Sequence, residues 1–164
     1  MRALHFSHDI QEFLRQLAKH NVKYVIVGGE AVIYHGHARL TGDIDLFYER
    51  SQENVKLLFA ALNEFWENNV PGIEEPAEML ELGVIVQFGV PPNRIDLINT
   101  IDGVQFEEAW LSKVTVQIRM KKERVPIHYL GLDQLIKNKE AVGRHKDLED
   151  LQYLKKVKER TTIT

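Results

Sequence analysis

At 164 residues with a formal net charge of -3, the chain can bury a substantial core without covalent staples, and one domain over residues 1–164 is expected. It has no cysteine, which excludes a disulfide scaffold and a thiolate metal site, and its mild acidity argues against broad, salt-driven attraction to nucleic acid while leaving room for a local basic patch. No apolar run approaches the ~20 residues of a membrane span. Met1-Arg2-Ala3-Leu4-His5 lacks the apolar stretch of a signal peptide, so a cytoplasmic chain with no membrane partner is expected.

In chain order, residues 7–20 read as a helix. Ile10, Phe13, Leu14 and Leu17 share one face, Ser7 is placed to cap it and Asn21 to close it. Residues 23–27 form an apolar strand that ends in Gly28-Gly29, a sharp turn into a short helix over residues 30–34. His35 and His37 follow in a loop with Arg39. Two histidines at this spacing invite a zinc reading, but no cysteine or further histidine stands nearby to complete a ligand set. The loop is expected to cross a ligand pocket, with Arg39 near phosphate or carboxylates. A surface arginine is the alternative.

The next strand carries Asp43-Ile44-Asp45-Leu46-Phe47. Side chains alternate across a strand, so both carboxylates project from one face while Ile44 and Leu46 enter the core. Side by side they raise each other's pKa unless a cation joins them, and a hard divalent ion carrying phosphates is the usual partner. Two other motifs are excluded. Gly28-Gly29-Glu30 does not continue as G-x-G-x-x-G, and the aspartate strand has apolar residues where a calcium loop needs ligands.

Ser51 starts a helix whose Val55, Leu58, Phe59, Leu62, Phe65 and Trp66 form a core stripe, broken by Pro71-Gly72. Glu74, Glu75, Glu78 and Glu81 lie in a weakly helical, solvated segment. Residues 84–88 read as a third strand, and Pro91-Pro92-Asn93 as a turn into a fourth, Arg94–Ile98. There Asp96 can share a cleft with Asp43 and Asp45 if the strands are neighbours, completing an oxygen-rich site and serving as a proton acceptor. The alternative is a surface ion pair with Arg94. Residues 106–110 suggest a short helix, and Val114, Val116, Ile118 and Met120 a half-exposed strand. Lys121, Lys122 and Arg124 then make a small basic turn, attractive to nucleic acid or simply solvated. No later strand is expected. Residues 132–142 and 147–157 read as helices joined at Gly143-Arg144-His145-Lys146, with Asp147 as N-cap and residues 155–164 as a charged end and frayed tail.

Gly28-Gly29-x-Ala31, Tyr34-His35-Gly36, Arg39, Thr41 and Asp43-Ile44-Asp45-Leu46 together resemble the signature of the DNA polymerase beta-type nucleotidyltransferase superfamily. That signature is a glycine turn followed, after about a dozen residues, by Asp-x-Asp, and here thirteen residues separate Gly29 from Asp43. The likeness is closer to the small bacterial branch of abortive-infection and toxin-type nucleotidyltransferases. Lys139 and then Gly143-Arg144-His145-Lys146-Asp147 resemble a lysine and a Gly-Arg-x-Lys-Asp motif of that branch.

The resemblance implies an α/β (α+β) fold, a mixed sheet flanked by helices with further C-terminal helices. It implies that Asp43, Asp45 and Asp96 are catalytic and hold Mg2+ or Mn2+. It assigns nucleotide binding to Gly28, Gly29, Arg39, Thr41, Lys139, Arg144 and Lys146. The implied reaction moves a nucleoside monophosphate from an NTP to a hydroxyl of RNA, protein or a small molecule, releasing pyrophosphate. An alternative is a non-catalytic nucleotide- or partner-binding component of a toxin–antitoxin pair, engaged by a cognate antitoxin. Phosphodiester hydrolysis by the same carboxylates is a third. Nothing in the residues ranks one base or one acceptor above another.

Overall fold

In the computed structural model, residues 6–163 are described, apart from the side chains of residues 162 and 163. Residues 1–5, read above for targeting, and Thr164 at the tail lie outside the described residues. Six strands form one sheet: β1 (Tyr24–Val27), β2 (Asp43–Tyr48), β3 (Ile85–Phe88), β4 (Arg94–Ile98), β5 (Val114–Met120) and β6 (Glu123–Tyr129). Their order is β3-β4-β2-β1-β6-β5. β2 pairs parallel with β4 and β1 parallel with β6, while the other neighbours are antiparallel. Six helices accompany them: α1 (His8–Lys19), α2 (Gly28–Tyr34), α3 (Gln52–Phe65), α4 (Phe106–Ser112), α5 (Leu132–Val142) and α6 (His145–Ile163). This is the mixed α/β architecture expected.

The strand alternation divides the core into two layers. Tyr24 and Ile26, Ile44 and Leu46, and Ile95 and Leu97 pack with α1 and α3 on one face of the sheet. Val25, Val27 and Phe47 face the other way, against α2, α4, α5 and α6. Burying each large apolar side chain stabilises the fold by roughly 1.5–3 kcal/mol, so register along β1 and β2 is strongly fixed. Asp43 and Asp45 share the parity of Phe47, which places them on the face of the sheet that carries α2, α5 and α6.

Local signals explain both ends of α1 and the start of α3. The Ser7 hydroxyl accepts from the Ile10 N–H at 3.3 Å, Asn21 leaves α1 at φ 55°, and the Ser51 hydroxyl accepts from the Asn54 N–H at 3.1 Å. The acidic segment tightens into a 3-10 turn, Pro76–Leu80. Three expectations need correction. The helix after β1 starts at Gly28 itself, so the two glycines are its first residues. α6 starts at His145 and runs to Ile163, so Asp147 sits in its first turn rather than at the cap, and most of the expected tail is helical. β6 was not foreseen at all. Its Val125, Ile127 and Tyr129 are buried on alternate positions, but Pro126 interrupts the pattern and reads as a break. Among the described residues no helix is long and apolar enough to cross a membrane.

Candidate active site

The register between β2 and β4 sets Asp43 beside Arg94 and Asp45 beside Asp96. Because residues two apart on a strand share a face, these four side chains form the corners of a square, opposite the buried Ile44, Leu46, Ile95 and Leu97. One carboxylate oxygen from each of Asp43, Asp45 and Asp96 lies within 4.8 Å of the others. Arg94 Nη2 donates to Asp43 Oδ2 at 2.7 Å and to Asp96 Oδ2 at 3.1 Å. The ion pair posed above as the alternative therefore forms inside the acid cluster and does not replace it.

The charges in the square do not balance. Burial, reinforced by the neighbouring charges of Asp43 and Asp96, pushes the Asp45 carboxyl up to about 7, and Arg94 only partly opposes the shift. Asp96 is buried, and its Oδ1 has no hydrogen-bond partner. A buried, unsatisfied acceptor beside two further carboxylates is costly unless a cation completes it.

β1 stops at Val27, directly opposite Asp45. Gly28 then takes a left-handed φ of 65°, and a Cβ there would fall on the Asp45 carboxylate. A Cβ on Gly29 would lie 2.8 Å from Thr41 Oγ1 and 3.3 Å from Arg39 Nη2. The glycines thus let Asp45, Thr41 and Arg39 close onto the first turn of α2. Thr41 Oγ1 in turn donates at 3.2 Å towards Asp43, at its carbonyl and at Oδ1.

A second charged cluster joins α5, α6 and the loop after α2. Lys139 Nζ is 2.9 Å from Asp147 Oδ1 and 3.2 Å from Asp150 Oδ2, and all three residues are buried. Arg39 grips Asp150 in a two-pronged contact, Nε to Oδ1 at 3.0 Å and Nη2 to Oδ2 at 3.2 Å. Asp147 Oδ2 accepts the Arg144 Nε at 2.8 Å and the Arg144 backbone N–H at 3.1 Å. Burial pushes the Asp147 carboxyl up, but hydrogen bonds from Arg144 and Lys139 outweigh it and hold the group down at about 2. Asp150 is the residue sequence reasoning missed. The signal was available: Asp147 and Asp150 fall on the same helical stripe as the buried Leu151 and Leu154, where a carboxylate needs a buried partner. The histidines of the loop do not face the acid square, and His37 instead borders this second cluster, its Nε2 3.9 Å from Asp150 Oδ1. His35 Nε2 pairs with the Leu130 carbonyl at 2.8 Å, and the His37 ring stacks on Tyr153 at 3.7 Å.

A cleft of about 390 Å3 opens beside the square, lined by Gly28, Asp45, Ile85, Asp102, Lys139 and Arg144 among others. Larger hollows of about 700 and 580 Å3 lie elsewhere, and neither is lined by any of the three aspartates. The fold therefore brings Gly28, Asp45, Lys139 and Arg144 to one cavity. Thr41 and Arg39 stand on the Gly29 side of the glycine turn. Lys146 is exposed on the first turn of α6 and does not line the cleft.

The donor set consists of oxygens alone, includes one buried oxygen without a partner, and carries excess negative charge, which suits a hard divalent ion. Among the described residues it is the one such grouping of three or more metal-ligating side chains. A family model described as "Nucleotidyltransferase of unknown function (DUF6036)" matches residues 7–160, from the α1 cap to the last turns of α6. No curated protein matches the chain. Since the match takes in every strand of the sheet and both charged clusters, the chain belongs to this family of nucleotidyltransferases of unknown function.

Proposed function

We propose that the chain transfers a nucleoside monophosphate from an NTP to a hydroxyl acceptor and releases pyrophosphate, with the acid square as its catalytic centre. The observation that carries this reading is the register that gathers Asp43, Asp45 and Asp96, with Asp45 alone of the three lining a cleft whose wall also holds Gly28 and Arg144. Asp43, Asp45 and Asp96 would hold Mg2+ or Mn2+, which when bound supplies charge neutralisation at the reacting phosphate and acidifies the attacking hydroxyl.

The remaining roles fall to the chain's own side chains. Asp96 would serve as a metal ligand and as the proton acceptor for the attacking hydroxyl, and its Oδ2 accepts from Arg94. Arg144 is tied to Asp147 through Nε, yet its side chain is 68% exposed and the residue lines the cleft, which leaves the guanidinium able to meet phosphate oxygens there. Lys139 acts through its carboxylates. With Nζ committed to Asp147 and Asp150, it fixes Arg144 on one side and Arg39 on the other. Thr41 orients Asp43, and Lys146 adds positive potential outside the cleft. The same residues leave base and acceptor open to RNA, protein or a small molecule.

The test is to incubate the chain with each NTP labelled at the α-phosphate, Mg2+ or Mn2+, and separate pools of RNA, protein and small molecules, with pyrophosphate assayed in parallel. Label transfer to one pool with equimolar pyrophosphate is expected, lost in Asp45→Asn. Release of labelled monophosphate without transfer would instead identify a hydrolase.

A further inference from the structure

Arg94 is the one cation among the four corners of the square, and the transfer scheme above gives it no task. It leaves β4 on the same face as Asp96 and stands in register with Asp43. One nitrogen, Nη2, spans both carboxylates, while Nε is buried without a partner. The side chain is 34% exposed and is anchored by those two acids alone, so it can swing away from them without breaking a third side-chain hydrogen bond. With Arg94 in place, two of the three carboxylates each have an oxygen engaged.

We propose that Arg94 is the resident counter-cation of the acid square: it occupies Asp43 and Asp96 in the metal-free protein and competes with a divalent ion for them. The consequence is weak metal binding until an NTP arrives. The triphosphate adds oxygen donors for the ion and offers the displaced guanidinium a new anionic partner. Ion and nucleotide therefore bind with positive coupling, and Arg94 is a source of that coupling. This inference rests on the reading of the square as a metal–nucleotide site.

The test is calorimetric titration of Mg2+ into the native chain, Arg94→Met and Arg94→Gln, first without nucleotide and then with NTP present. Removing a positive charge a few ångströms from a dication's site is expected to tighten nucleotide-free Mg2+ binding about tenfold or more in both variants. The same variants should show a smaller further gain when NTP is added than the native chain does. Combining Arg94→Met with Asp45→Asn should abolish the gain. The metal-free variants are expected to melt below the native chain and to recover on adding Mg2+, so an unfolded variant that Mg2+ does not restore counts against the inference. Unchanged or weaker Mg2+ binding in both folded variants overturns it, because Arg94 then orients the carboxylates for the ion. If neither Mg2+ nor Mn2+ binds the native chain or either variant, even with NTP, the reading of the square as a metal site fails instead.

Discussion

The two charged clusters of this molecule are built from the same residue types and stand in opposite electrostatic states. In the α5–α6 cluster, the buried carboxylates Asp147 and Asp150 meet three cations, Lys139, Arg39 and Arg144, and each acid has its oxygens engaged. In the β2–β4 square, three carboxylates share the single cation Arg94, and one buried oxygen is left over. The pKa directions follow: Asp147 is held down at about 2, and Asp45 is pushed up to about 7. A balanced cluster braces a fold. An unbalanced one beside a cleft has the excess negative charge that could hold a cation from outside the chain.

The sharpest way to break this comparison is to unbalance the braced cluster. Lys139→Met leaves Asp147 and Asp150 buried with less compensation, so a loss of about 3–5 kcal/mol is expected by urea denaturation. Gly28→Ala comes next. It forces a Cβ into left-handed backbone and onto the Asp45 carboxylate, with about 1–3 kcal/mol lost in the same assay. Asp45→Asn should have the opposite sign. Relieving a buried, repelled carboxylate should raise metal-free stability at neutral pH by an amount on the order of 1 kcal/mol while abolishing transfer. Arg144→Gln should move stability least, by under about 1 kcal/mol given its exposure, while weakening NTP binding measured by calorimetry.

The pH dependence separates the clusters by sign. Asp147 is more acidic folded than unfolded, so its stabilisation is present above the ordinary carboxylate pKa and is lost as pH falls from about 4 towards 2. Asp45 is less acidic folded than unfolded, so it favours the folded state at low pH and loses that contribution as pH rises from about 4 to 7. Denaturation midpoints against pH should therefore rise on the acid side and decline towards neutrality. Asp45→Asn should remove the decline and leave the acid limb. Saturating Mg2+ should flatten the decline in the native chain.

How much of this was legible beforehand follows the same division. The square was readable because it depends on strand parity: Asp-x-Asp and Arg-x-Asp each put two side chains on one face, and apolar residues at the intervening positions fixed which face. That Asp45 would meet Asp96 and Asp43 would meet Arg94 was not readable, since register between strands about fifty residues apart is set by tertiary pairing. The α5–α6 cluster was half readable. Lys139, Arg144 and Asp147 stood out by motif, but the contact between Arg39 and Asp150 spans 111 positions and leaves no local trace. β6 was hidden by Pro126. A proline usually marks the end of a strand, and here the buried Val125, Ile127 and Tyr129 hold it in the sheet anyway.

The most direct test of the square as a metal–nucleotide site is thermal unfolding of the native chain and of Asp45→Asn with each of the four NTPs, with and without Mg2+. A ligand at a hundred times its dissociation constant adds about 2.7 kcal/mol, which for a domain of this size raises the midpoint by roughly 5–10 °C. A rise of that size for at least one NTP, requiring Mg2+ and absent in Asp45→Asn, is the expected result. A Mg2+-independent rise, or one that survives in Asp45→Asn, would place nucleotide binding away from the square and contradict the account.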